Sequence, residues 1–132
     1  MLVTNSDPKT AARPRSGVGI ALLMLIPKTA FDVTDWSTVE GTCHRGETGT
    51  ALWRTRQVGE IRVRMVEYSP GYTSDHWCSK GHIVLCVEGE VDVELDDGRF
   101  VRLVAGQSYQ VGDGAGAHRS RSERGAKLFI VD

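Results

Sequence analysis

Residues 60–95 read EIRVRMVEYSPGYTSDHWCSKGHIVLCVEGEVDVEL, and the reading of this stretch decides the fold. Over 60–68, Ile61, Val63 and Met65 alternate with Arg62 and Arg64, the two-residue period of a β-strand. Ser69-Pro70-Gly71 is a turn, because proline fixes φ and glycine tolerates a positive one. Residues 73–78 are extended, and Ser79-Lys80-Gly81 turns the chain again. Residues 82–87 form a nearly continuous apolar run, the pattern of a strand covered on both faces. Glu88-Gly89-Glu90 is expected to turn the chain into a further strand at 91–95, where Val91, Val93 and Leu95 oppose Asp92 and Glu94.

The same grammar continues on both sides. Residues 50–55 form a short strand candidate upstream. Downstream, Asp96-Asp97-Gly98 carries an Asp-Gly hairpin signal. Residues 100–104, 108–111 and 127–131 complete a set of eight or nine short strands. Residues 32–39 (DVTDWSTV) can hold one helical turn capped by Asp35. No repeat, heptad or sustained helical period is visible after residue 30. Short strands joined by hairpin turns define an all-β class, an antiparallel barrel or jelly roll.

The bulk numbers agree with one domain. The chain has 132 residues, 40% hydrophobic and 25% charged, the profile of a soluble globular protein. A net charge of −1 gives no electrostatic case for nucleic acid or an anionic membrane surface. The three cysteines, Cys43, Cys78 and Cys86, are an odd count at irregular spacing, so the chain reads as reduced and cytoplasmic. Residues 1–26 read as an N-terminal extension and 27–132 as the barrel. The apolar run 18–26 is too short for a bilayer span of about 20 residues, and no convincing cleavage site follows it. Residues 1–23 are therefore expected to be dispensable, with Met24 close to where the folded part begins.

The chemistry concentrates at His76, Cys78 and His82. His76 and Cys78 are two apart on an extended segment, so both point to one face. His82 follows a three-residue turn and returns beside them. Imidazole and thiolate suit zinc and are good ligands for iron, copper and nickel. His118, after the glycine-rich run 113–117, is the remaining histidine of the C-terminal half and the expected fourth ligand. Cys78 stays open between ligand and small buried hydrophobe beside a three-histidine site. Cys86 reads as core filler, and His44 as a solvated residue of a loop over 41–46. Asp75 has the opposite parity to His76 and suits a group that fixes a ligand histidine's tautomer. Trp77 is expected to face away from His76.

Here the residues resemble a family. Gly71 to Gly89 (GYTSDHWCSKGHIVLCVEG) resembles the first motif of the cupin superfamily: a glycine, His-x-His, an acidic residue three or four positions later, and a closing glycine. Gly106 to His118 (GQSYQVGDGAGAH) resembles the second motif, which ends in histidine after a Pro-x-Gly turn. The resemblance spans residues 50–131. Asp75-His76-Trp77-Cys78, with Lys80-Gly81-His82 after it, resembles the small single-domain cupins that carry a DHCW motif. By position, the first cupin histidine corresponds to His76 and the second is replaced by Cys78. The carboxylate position falls on His82, and the second-motif histidine on His118. The usual second-motif proline is missing, with residues 112–117 in its place.

The resemblance implies a double-stranded β-helix holding one divalent transition metal, Fe(II) or Zn(II), and a small-molecule ligand. It also implies a homodimer, with Trp77 a candidate for the subunit interface. The first functional expectation is a metal-dependent oxygenase acting on a small organic acid or thiol. The alternatives are a zinc-type isomerase, cyclase or lyase, and a non-catalytic metal- or ligand-binding module. Tyr68, Tyr72 and Tyr109 are candidate proton or hydrogen-bond donors. Arg62 and Arg64 could receive a substrate carboxylate bidentately. The plainer expectation for the two arginines is a solvated outer face opposite Ile61, Val63 and Met65.

Overall fold

The computed structural model describes residues 26–132. The extension over 1–25, with its apolar run and Met24, lies outside the described residues. Among the described residues, nine strands follow a single-turn 3-10 helix at Trp36–Thr38: β1 Gly41–Arg45, β2 Thr50–Val58, β3 Ile61–Tyr68, β4 Tyr72–Thr73, β5 His82–Leu95, β6 Phe100–Val104, β7 Ser108–Val111, β8 His118–Ser122 and β9 Ala126–Val131. Asp35 caps the helical turn as expected, its side chain accepting from Ser37 N. No helix among the described residues is long and apolar enough to cross a membrane.

Every strand pair is antiparallel, in the order β1-β2-β3-β9-β5-β8-β4, with β6 and β7 also on β5. Strand β5 belongs to both sheets of the jelly roll. Its first half pairs with β7 and β9, and its second half with β6 and β8. This corrects the expected break at Glu88-Gly89-Glu90: one 14-residue strand bends there without ending. The register with β9 shifts between Cys86 and Glu88, and Gly89 takes φ +74° beside the shift. A Cβ at Gly89 would lie 2.3 Å from the Gly125 carbonyl oxygen, so only glycine lets the two backbones approach.

Alternation builds the core. On β9, Ala126, Leu128 and Ile130 are buried, and Lys127, Phe129 and Val131 face outward. Val66, Val84, Cys86, Val91 and Leu103 join them, with Trp53, Tyr68 and Tyr109 packed alongside. Cys86 is fully buried, as expected of core filler, and all three cysteines are free thiols. The apolar run of β5 is covered on one face only. Val84 and Cys86 point inward, whereas Ile83, Leu85 and Val87 remain 37–44% exposed on the outer face.

Two strands depart from the sequence reading. Residues 41–45 form β1 rather than a loop, and the His44 ring stacks on Trp53 with centroids 3.8 Å apart. Strand β8, HRSRS, has no apolar residue to reveal it, yet His118, Ser120 and Ser122 all point inward. The interior next to β8 is therefore polar.

Candidate metal centre

Three short devices place the ligand candidates. Cys78 and His118 form an isolated antiparallel bridge, Cys78 N donating to His118 O at 2.8 Å and His118 N to Cys78 O at 3.0 Å. The turn before His82 is tied to the turn before His118: Gly81 N donates to Asp113 Oδ1 at 2.6 Å, and Gly114 N to Ser79 O at 3.0 Å. A Cβ at Gly81 would stand 2.7 Å from Asp113 N, so this close passage also requires glycine. His82 then opens β5 opposite Val111, and His118 opens β8 opposite Leu95.

The result is a trio. One ligand atom from each of Cys78, His82 and His118 lies within 4.8 Å of the others. His82 Nε2 and His118 Nε2 are 2.7 Å apart, with their rings nearly perpendicular. His118 is 3% exposed, and Cys78 and His82 are half-buried. Of the four expected ligands, the structure brings these three together. His76 stands apart: its side chain is 70% exposed and its Nδ1 lies 2.6 Å from Asp75 Oδ1. The segment pairs as a strand only to Thr73 and bends at Asp75 and His76. The strict alternation that would align His76 with Cys78 is thereby lost. Asp75 pairs with the ring of His76, which is outside the trio, and that bond holds the Asp75 carboxyl below its ordinary pKa.

The outer nitrogens decide how the trio can be used. His118 Nδ1 faces the Gly116 carbonyl oxygen at 3.4 Å. His82 Nδ1 is buried without a hydrogen-bond partner among the described residues and faces Asp132 Oδ2 at 3.7 Å. A bare nitrogen lone pair aimed at a carboxylate is repulsive, so Asp132 favours a proton on His82 Nδ1. The Gly116 carbonyl favours the same tautomer of His118. Both Nε2 lone pairs then converge on one point beside the Cys78 sulfur. A shared proton is a poor solution, since burial, with His82 adding to it, lowers the His118 pKa despite the opposing Gly116 carbonyl. A divalent cation is a good one. The donor set therefore fits the metal of the sequence reading, with Cys78, His82 and His118 as its holders.

The trio lines a cavity of about 120 Å³, small beside the roughly 300–1,000 Å³ of pockets for drug-sized ligands. His76 stands on its wall, as do Tyr68, Tyr72 and Tyr109. Tyr109 Oη lies 3.2 Å from His82 Nε2. Burial raises the pKa of Tyr109 and Tyr68 well above the ordinary phenol value, so both stay neutral donors. Trp77 faces outward, 43% exposed, with the Arg119 guanidinium 4.9 Å over its ring.

Arg62 and Arg64 are not on a solvated outer face. They share the inner face of β3 with Val66, and Arg64 is only 5% exposed. Asp132 makes this burial possible. Arg62 grips both of its carboxylate oxygens, at 2.9 and 3.1 Å, and Arg64 Nη2 donates at 2.8 Å. Burial alone would raise the Asp132 pKa, but His82 and the two arginines outweigh it and hold the carboxyl well below the ordinary range. Asp132, Trp53 and Lys80 are site residues that sequence reasoning missed. Asp132 was detectable, since it continues the inward parity of Leu128 and Ile130.

No protein-family model matches the chain, and no curated protein matches it by sequence. Solved structures do match. The fold is the jelly roll seen in cupins. A predicted oxalate decarboxylase from Thermotoga maritima superposes with a TM-score of 0.66 at 15% identity, covering 76% of this chain and 96% of that one. An RmlC-like cupin from Shewanella frigidimarina gives 0.63 at 18% identity, covering 77% and 89%. Ectoine synthase from P. lautus gives 0.60 at 20% identity, covering 76% of each chain. At these identities the likeness carries the fold, and the site must be argued from its own residues.

Proposed function

We propose that this protein is a metal-dependent enzyme that performs lyase, isomerase or cyclase chemistry on a small organic molecule in the barrel cavity. The observation that carries this reading is the convergence of two histidine Nε2 atoms and the Cys78 sulfur on the wall of a small cavity. Three protein donors leave coordination room for a ligand, the arrangement of catalytic rather than structural zinc sites. A bound divalent ion of the zinc type would supply Lewis acidity and an acidified water. Tyr109 is a neutral phenol beside His82 and serves as hydrogen-bond donor to the group being transformed.

An oxygenase on a three-imidazole iron centre is the second reading. Its support is His76, which lines the same cavity and would complete three histidines by swinging inward. The two readings part on metal content and oxygen. Protein purified without chelator should carry a zinc-type ion. Turnover of small acids found by metabolite screening should be equal in air and under nitrogen. Iron content with substrate-dependent oxygen uptake would replace this reading by the oxygenase.

A further inference from the structure

We propose that the cavity is a receptor for a small organic carboxylate, with Arg64 as the residue that binds it and Trp53 and Asp132 holding Arg64 in place. The inference rests on the metal-centre reading for what happens to the ligand, but not for its binding. Arg64 is a built feature rather than a surface cation. Its side chain is 6% exposed, and its guanidinium carbon sits 4.4 Å over the Trp53 ring. Among the described residues only one hydrogen bond satisfies it, from Nη2 to Asp132 Oδ2 at 2.8 Å, and its buried Nε has no partner there. Leaving a donor of a buried cation unpaired is costly, and proteins rarely do so without a use for it.

Asp132 does not exhaust the demand for negative charge. Arg62 already occupies both of its oxygens with a two-pronged grip. Arg62, Arg64 and Lys80 on the cavity wall face the single carboxylate of Asp132. Arg119 also lines the cavity but is paired with Glu94 at 2.9 Å. The lining is therefore net cationic, and the burial of Arg64 strengthens its attraction for an anion. A guanidinium presents parallel N–H groups that match the two oxygens of a carboxylate. The stacking on Trp53 and the bond to Asp132 fix the plane of that fork before the ligand arrives. Arg64 and the Cys78–His82–His118 trio line the same cavity, so one small acid can rest its carboxylate on Arg64 with its remaining atoms toward the trio.

The test is calorimetric titration of the metal-loaded protein with acetate, glycolate and malonate, each against its amide, with metal content measured on the same samples. At least one acid should bind, and its amide at least about tenfold more weakly, the scale of one charge-assisted hydrogen bond. Arg64→Met should weaken the acid by a similar factor while metal content stays unchanged. Failure of every acid to bind, equal binding of acid and amide, or full affinity in folded Arg64→Met would overturn the proposal. The acid-against-amide comparison needs no variant, so a misfolded Arg64→Met does not protect the idea. Metal-loaded wild type that binds none of the acids would count against the carboxylate site alone. Acid binding in protein that takes up no metal would uphold this site and defeat the metal reading.

Discussion

His82 and His118 face one another Nε2 to Nε2 across 2.7 Å, with the other nitrogen of each ring turned toward an oxygen of Asp132 or Gly116. Two lone pairs so placed call for an electrophile between them. The Cys78 sulfur is the third group within reach. The backbone bridge between Cys78 and His118 makes this closeness a property of the fold rather than of one rotamer.

His76 provides the sharpest negative prediction. It lies outside the trio and its side chain is 70% exposed. His76→Ala should keep full metal content and change stability by no more than about 0.5 kcal/mol, the range for exposed substitutions. Elemental analysis and chemical denaturation measure both. Loss of metal in this variant would place His76 among the ligands.

Asp132 should be the most sensitive polar position. Its side chain is 1% exposed and holds the Arg64 guanidinium, itself 6% exposed. Asp132→Asn leaves a buried cation without its counter-charge and should cost about 3–5 kcal/mol in urea unfolding. A loss below about 1 kcal/mol would show that solvent reaches the pair.

The same carboxyl gives a pH prediction. Its pKa in the folded protein lies below the ordinary 3.8, so the unfolded chain binds its proton first as pH falls. Its contribution is complete above about pH 4 and is lost as acid carries the pH down through the depressed value. Wild type and Asp132→Asn should therefore differ by a constant amount between pH 5 and 8, and converge only in stronger acid. A gap that already closes near pH 6 would point to a different group.

Gly89 tests the shared strand. Its φ of +74° and the 2.3 Å approach of a would-be Cβ to the Gly125 oxygen both exclude a side chain. Gly89→Ala should destabilise by at least about 2 kcal/mol, combining left-handed strain with a displaced β5–β9 register. An unchanged melting temperature would mean that β5 does not pass through this bend.

Local pattern was enough for β3, the two halves of β5, β6, β7 and β9, because each alternates or is bounded by Gly, Pro or Asp-Gly turns. It could not reveal β8, whose inward positions are His118, Ser120 and Ser122 and whose burial depends on partners far along the chain. Bending without breaking at Gly89 was likewise hidden, since a turn and a strand bulge use the same residue. The arginines are the clearest case. Ile61, Val63 and Met65 have the apolar pattern of an inner face. Arg62 and Arg64 take that face because Asp132, about 70 residues later, neutralises them. Within the site, His82, His118 and Cys78 were visible as residue types at suitable spacing. The exclusion of His76 from the trio required the bend at 75–76, which composition does not announce.

Cys78, His82 and His118 are proposed to hold one metal ion together. Cobalt(II) titration of metal-free protein tests it directly, because thiolate and imidazole ligation each leave a mark on the absorption spectrum. The expected result is saturation at about one ion per chain with a thiolate charge-transfer band. That band should vanish in Cys78→Ser, and affinity should drop at least about tenfold in His82→Ala and His118→Ala. Cobalt binding that is unchanged in His82→Ala and His118→Ala, or that shows no thiolate band in the wild type, would show that the three residues do not share an ion.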